Sequence, residues 1–373
     1  MLVTTLPVTV NENPSFLTLV TPFLAHVASI AFGARGMVMT NTIGMKTVDH
    51  EKSADSYFRL YQSQVSGIAI DPEFCAHDGS SDYERHFNDV LVRLADAHMF
   101  KELKQEISWC ECGRVEIPTE AARALIRQQR PKSLIEGNGL ESARCKICRS
   151  GLHTDMEQTL VVTLPRITVH SIPGIYAMEL ETIADRIATR PVMVSRRHRG
   201  HGMCYDADFR WLPYITSLSQ MEKEVVIVSS PTTLNQAVKV IALTFALDPT
   251  IHCALLVHPL IRIRDRRTAL SEMSIEKFYQ LVPSPSARRF LFAASMQWTS
   301  HETFLGSEET HLISQTAEMI SSYGINNTRI APIAPEDFVH FFNRGATSRL
   351  LKVIRTNGLQ SEDGRLLQLI NPH

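Results

Sequence analysis

Two close pairs of cysteines constrain this chain more than any other feature. Cys110 and Cys112 lie in the run Trp109-Cys110-Glu111-Cys112-Gly113, and Cys145 and Cys148 lie in Cys145-Lys146-Ile147-Cys148. A Cys-x-Cys pair and a Cys-x-x-Cys pair can place four thiolates around one tetrahedral zinc. Gly113 suits the tight turn that such a knuckle needs. The alternatives are four unrelated buried thiols or a disulfide framework. Of the 7 cysteines, Cys75, Cys204 and Cys253 are scattered as ordinary core residues are, and the N-terminus lacks a basic region followed by an apolar run. A reduced, cytoplasmic protein is therefore expected, with the cysteines as metal ligands. Four protein ligands leave no open coordination position, so the expected zinc is structural.

The chain has 373 residues, more than one compact core accommodates, which predicts two or three domains. Net charge is −1, so any RNA contact must come from a local basic patch, and DNA binding is not expected. No apolar stretch is long enough to predict a membrane span.

Hydrophobic periodicity supplies the frame. Residues 1–10 read as a buried strand, followed by the polar turn Asn11-Glu12-Asn13-Pro14-Ser15. A helix is predicted from Leu17 to Ala34, with Gly36 as its stop, and a second strand over Met37–Thr42. Helices are predicted over 53–66 and 82–105. The cysteine module fills 106–155. A strand is predicted at 158–164, a helix near 175–189 and a strand over Arg190–Ser195. Glu224–Ser229 reads as a buried strand. The loop Ser230-Pro231-Thr232-Thr233 then caps a helix carrying Leu234, Val238, Ile241 and Phe245 on one face. Cys253–Ile263 is a further strand, and the pattern is helical from about Ser274 onward, with a turn-rich break near 323–335. The expected fold is α/β: a split doubly wound, Rossmann-like parallel sheet with an inserted zinc knuckle and a C-terminal helical segment. The expected domains are 1–105 (first half of the sheet), 106–157 (knuckle insertion), 158–273 (second half) and 274–373 (helical).

On these residues the chain resembles the class I aminoacyl-tRNA synthetases, of the methionyl type, almost end to end. That family opens with a strand, then Asn-x-Pro-x-His-x-Gly-His, then a helix. Here Asn11-Glu12-Asn13-Pro14-Ser15-Phe16-Leu17-Thr18 holds that place. Gly44 through Asp49-His50 resembles the family's Gly-x-Asp-x-His turn. The cysteine module falls at the family's connective insertion, and Val194-Ser195-Arg196 at its re-entry into the second half-fold. Ala269-Leu270-Ser271-Glu272-Met273 lies where the family carries its mobile Lys-Met-Ser-Lys-Ser loop. Helical residues 284–323 resemble the junction helices that follow.

The departures are as specific as the matches. The family's two histidines and glycine, which hold ATP, are replaced by Ser15, Thr18 and Leu17. Serine and threonine still donate hydrogen bonds to phosphate, but a leucine side chain takes space that adenine would need. Leu270–Met273 has no lysine to neutralise pyrophosphate, and Glu272 would repel it. On this resemblance, an anticodon-binding domain of the usual size is not expected within these residues.

Site residues follow from helix termini, strand ends and the resemblance. Ser15, Thr18 and Arg196 are the expected catalytic groups. Asn11, Asn13, Arg197, Ser230, Thr232 and Arg264 are expected to hold ATP. Asp49, His50, Trp211, Asn235 and Gln236 are expected to bind an amino-acid-like substrate, Asp49 through its amino group as the resemblance implies. The basic turn Arg196–Gly202 and the arginines at 262, 264, 266 and 267 would supply the missing cationic charge. Each has a plainer reading as a capping residue, solvated loop or core aromatic. Two functions stay open at this stage. One is a synthetase-like enzyme that adenylates or transfers an acyl group, with tRNA a possible partner. The other is a non-catalytic binding or assembly protein.

Overall fold

In the computed structural model the described residues are 1–9, 14–41, 54–112, 115–128, 133–146, 148–194, 222–264, 273–296, 298, 302–306, 332–341 and 369. The chain opens with β1 (Leu2–Thr5) and β2 (Val8–Thr9). A 3-10 turn over Phe16–Leu19 leads into α1 (Val20–Phe32) and β3 (Arg35–Asn41). Then come α2 (Ala54–Ser66), β4 (Cys75–His77), α3 (Ser81–Asp96), β5 (Phe100–Trp109), β6 (Glu116–Pro118) and α4 (Thr119–Gln128). β7 (Ile135–Glu136), β8 (Arg144–Cys145), β9 (His153–Val162), β10 (His170–Ile172), α5 (Ala177–Thr189) and β11 (Val192–Met193) follow. The second half holds β12 (Glu224–Ser229), α6 (Leu234–Leu247), β13 (His252–Val257) and β14 (Leu260–Arg264). It closes with α7 (Ile275–Leu281), α8 (Pro285–Ser295), β15 (Glu302–Gly306) and α9 (Pro335–Phe341).

The central sheet is parallel throughout, in the order β10-β13-β12-β1-β3. β2 continues β1 along one edge of β3, with Val8 opposite Thr40, and β4 pairs with β3 as well. Such a sheet must be covered on both faces, and its strands read as unbroken apolar runs for that reason. In β1, Val3 faces a core built from α1, α2, α7 and α8. Leu2 faces a second core built from α3, α5 and α6. All four residues of β1 are buried, and Thr5 is satisfied there because its hydroxyl accepts the Met39 N–H at 3.1 Å.

The insertion has its own frame. β5 and β9 form a ten-residue antiparallel ribbon, extended by β6 and β11. A small core of Cys110, Val115, Ala122, Ile126, Ile135, Ala143 and Cys145 packs at its tip.

Several expectations are corrected. The helix predicted over 82–105 ends at Asp96, and Phe100–Trp109 is a strand. The strand predicted at 158–164 belongs to the antiparallel ribbon, and the parallel sheet instead receives the three-residue β10. Residues 253–263 are two strands. Pro259 has no N–H to give a ladder, so β13 stays in the main sheet while β14 pairs with β15. α1 is stopped by Gly33, which adopts φ 62° and donates its N–H to Ile30 O and Ser29 O, and not by Gly36. Phe245, expected on the apolar face of α6, is 42% exposed. Among the described residues no helix is long and apolar enough to cross a membrane.

Candidate functional site

The strand order reverses between β1 and β12. β1 leads through α1 to β3 on one side, and β12 leads through α6 to β13 on the other. In open parallel sheets ligands sit at this switch point, outside the carboxyl ends of the strands. Two described segments flank it: Pro14–Leu19, which enters α1, and Ser229–Thr233, which enters α6.

The first flank is tightly self-bonded. Ser15 is extended (φ −65°, ψ 142°) and its hydroxyl accepts the Leu17 N–H at 3.4 Å. Thr18 Oγ1 donates to the Ser15 carbonyl at 2.7 Å. Phe16 is buried, with its ring 4.4 Å from Phe278 on α7. The Phe16 N–H donates to Met273 O and the Ile275 N–H to Pro14 O, both at 3.1 Å. This antiparallel bridge joins the first flank directly to the end of the 269–273 segment.

The second flank is a cluster of hydroxyls. Ser229 Oγ lies 2.8 Å from Thr233 Oγ1, and Ser230 Oγ lies 2.8 Å from Thr232 Oγ1. The Ser230 N–H donates to Thr233 Oγ1 at 3.3 Å, and the Thr233 N–H to Ser230 O at 3.0 Å. One turn on, Asn235 and Gln236 part company. Asn235 Oδ1 accepts from Arg186 of α5 at 2.9 Å, which draws it sideways across the helix pair. Gln236 is half-buried, and its Oε1 is buried with no hydrogen-bond partner among the described residues.

The four cysteines come together at the ribbon's tip. Their sulfurs all lie within 4.8 Å of one another. Cys110 Sγ is 3.3 Å from Cys112 Sγ, which is 3.7 Å from Cys145 Sγ. Zinc–sulfur bonds of about 2.3 Å in a tetrahedron require sulfur separations of about 3.8 Å, so the cluster fits a closed four-thiolate site. Cys110 Sγ also accepts the Val115 N–H at 3.3 Å. Hydrogen bonds from Ser150, its hydroxyl first and then its N–H, bring the Cys148 thiol down to about 6. The four residues can hold a metal ion.

No family's sequence profile matches the chain, and no curated protein sequence does. Its architecture does have counterparts among solved structures. Methionyl-tRNA synthetase of Mycobacterium tuberculosis, solved in complex with methionyl-adenylate, superposes with a TM-score of 0.60 at 10% identity. The match covers 99% of this chain and 88% of that one. A second structure of the same enzyme bound by methionyl-adenylate gives 0.58 at 10% identity, with the same coverage. The fold is that of the class I aminoacyl-tRNA synthetases.

Within this synthetase-like fold, the expected site residues fall into two groups. Ser15, Thr18, Ser230 and Thr232 lie at the carboxyl ends of the adjacent strands β1–β2 and β12, and Asn235 and Gln236 lie in the first turn of α6. Asn11, Asn13, Asp49, His50, Arg196, Arg197 and Trp211 lie outside the described residues. Arg264 is placed only as the last residue of β14.

One residue of this edge was not expected. His258 follows β13, is 5% exposed, and gives its N–H to Ser229 O at 3.0 Å. Its Nδ1 is 3.0 Å from Pro259 O. A carbonyl can only accept, so Nδ1 carries the proton. Nε2 is then an acceptor for the Thr21 hydroxyl at 2.9 Å. Burial pushes this imidazole down to about 4, against the bond to Pro259 O. The neutral ring thus holds the first turn of α1 to the end of β13, two strands away from β1. A lone histidine closing an apolar strand gave no sequence signal of that role.

Proposed function

We propose that this protein takes an amino-acid-like acyl group at the switch point between β1 and β12. There it would adenylate the group with ATP, or transfer it, without ordinary charging of bulk tRNA. The observation that supports the reading most is the end-to-end likeness to a synthetase fold whose solved relatives hold methionyl-adenylate. In adenylation the substrate carboxylate attacks the α-phosphate of ATP and pyrophosphate leaves. The protein's part is to align the two and to neutralise charge on the leaving group.

On this reading Ser15, Thr18, Asn11, Asn13, Ser230 and Thr232 face the nucleotide. Arg196, Arg197 and Arg264 supply the cationic charge, and Asp49, His50, Trp211, Asn235 and Gln236 hold the acyl group. The hydroxyls of Ser15 and Thr18 would exchange their turn bonds for bonds to phosphate. The cysteine cluster would hold zinc through Cys110, Cys112, Cys145 and Cys148, fixing the tip of the insertion. The domain limits 1–105, 106–157, 158–273 and 274–373 belong to the same proposal.

A second reading, a non-catalytic binding protein, is favoured by one observation. The Ser15 and Thr18 hydroxyls are bonded within their own turn, and Phe16 is locked into the core beside them. Amino-acid-dependent exchange between pyrophosphate and ATP, measured alongside calorimetric binding of non-hydrolysable adenylates, separates the readings. Exchange supports the enzyme. Binding without exchange supports the second reading. Absence of both overturns the switch-point site itself.

A further inference from the structure

We infer that Cys112 and Cys148 form an oxidation site within the cysteine cluster, where peroxide joins them in a disulfide and the metal is released. This rests on the proposed zinc site and goes further by giving its four ligands unequal roles.

The four cysteines differ in exposure. Cys110 and Cys145 are 0% exposed and belong to the small core at the ribbon's tip. Cys112 and Cys148 pack against that core from outside and are only partly buried. The two accessible sulfurs thus come from different pairs. None of the four is in a disulfide, and their sulfurs lie within 4.8 Å of one another. Oxidation by peroxide follows thiolate character and access, and a neighbouring thiol resolves the sulfenic acid that forms. A thiolate that ligates zinc is already deprotonated, so access is what separates the two classes here.

Peroxide gives one oxygen to the first of the accessible sulfurs. The O–O bond breaks, a sulfenic acid forms and hydroxide leaves. The second thiolate attacks that sulfur, the S–O bond breaks, and a second hydroxide leaves as the disulfide closes. Two thiolates lose two electrons in all, and one peroxide is reduced to two hydroxides. A disulfide holds its sulfurs about 2.0 Å apart. The tetrahedral set is then lost, and the two remaining thiolates are too few for a closed site. The competing product joins Cys110 to Cys112, whose sulfurs are 3.3 Å apart. Closing it would draw on a core sulfur that also accepts the Val115 N–H.

Zinc-loaded full-length protein is treated with hydrogen peroxide beside a chromophoric zinc chelator, then alkylated and digested with trypsin for mass spectrometry. Cleavage after Lys146 parts Cys145 from Cys148, so the map tells them apart. Zinc release is expected to track a cross-link between the peptide Ile147-Cys148-Arg149 and the one holding Cys112, with fragmentation placing the bond on Cys112. Dithiothreitol is expected to reverse it. Cys148→His, which keeps a fourth ligand, is expected to slow release roughly fivefold or more. If Cys148→His holds no zinc, the wild-type map decides by itself. A Cys110–Cys112 disulfide, a bond to Cys145, zinc retained in excess peroxide, or wild-type release from Cys148→His overturns this inference alone. Protein that takes up no zinc overturns the zinc reading, and this inference with it.

Discussion

The residue with the clearest physical signature is His258. Its folded value near 4 lies below the ordinary 6.5. Below pH 6.5 the unfolded chain takes up a proton that the folded chain refuses, so stability is complete above that pH and is lost as pH falls toward 4. The loss is on the order of 3 kcal/mol by pH 4. Thermal unfolding between pH 7 and pH 4 should show this slope, and His258→Gln should flatten it. An unchanged slope in the variant would remove His258 as its source. The cysteines make a second residue-scale prediction: about one zinc per chain by elemental analysis, with Cys145→Ser losing most of it. Protein purified without any bound metal would end the zinc reading. The cysteine site was legible in the sequence because two short spacings are sufficient to suggest a ligand set. His258 was not, because its role depends on Thr21, which lies far away along the chain.

At the scale of elements, the firmest joint is between the C-terminal helices and the first half of the sheet. Arg288 of α8 lies over the Tyr279 ring, with its guanidinium carbon 3.8 Å from the centroid. It donates to Val282 O at 2.6 Å, Pro283 O at 2.8 Å, Tyr279 O at 3.1 Å and Gly67 O. The Tyr279 hydroxyl donates to Gln64 O, and its ring lies so close over Gly67 that a Cβ there would sit 2.2 Å from it. A lysine reaches one such carbonyl but lacks the planar fork for several. Arg288→Lys is expected to lower stability by roughly 2 kcal/mol or more, through carbonyls left without donors. Denaturant unfolding measures it, and a change below about 0.5 kcal/mol would mean that the fan of bonds carries little. The elements misread from sequence share a cause. Phe100–Trp109 is rich in Lys, Glu and Gln, and Lys101, Glu102, Leu103 and Lys104 are all exposed. A ribbon that is wet on both faces there imposes no alternation of apolar and polar residues, so a helix-like pattern survives in it. Its strand character comes from ten registered pairs with β9, a partner some fifty residues away along the chain. β10 escaped notice because three residues at a sheet edge are too few to show a period. The buried strands β1 and β12 were legible because double-sided burial leaves an unmistakable apolar run.

At the scale of the whole molecule, the placing of β1 has a consequence for how the chain is made. β1 is flanked by β3 on one side and by β12 on the other. A strand made well before β12 is thus at the centre of the sheet, and one of its partners is encoded more than two hundred residues later. At about 5–20 residues per second, that edge waits roughly 10–40 s for Glu224–Ser229 to arrive. Throughout, it presents unpaired backbone groups between Leu2 and Val3, whose side chains await opposite cores. A fragment ending at Val194 should therefore be insoluble, or recovered only with a chaperone bound. Adding residues 222–264 as a separate chain should rescue it, and a soluble, monomeric fragment would sink the idea. For a nascent chain of this topology, the long insertion between the two halves of the sheet sets the length of its most vulnerable interval.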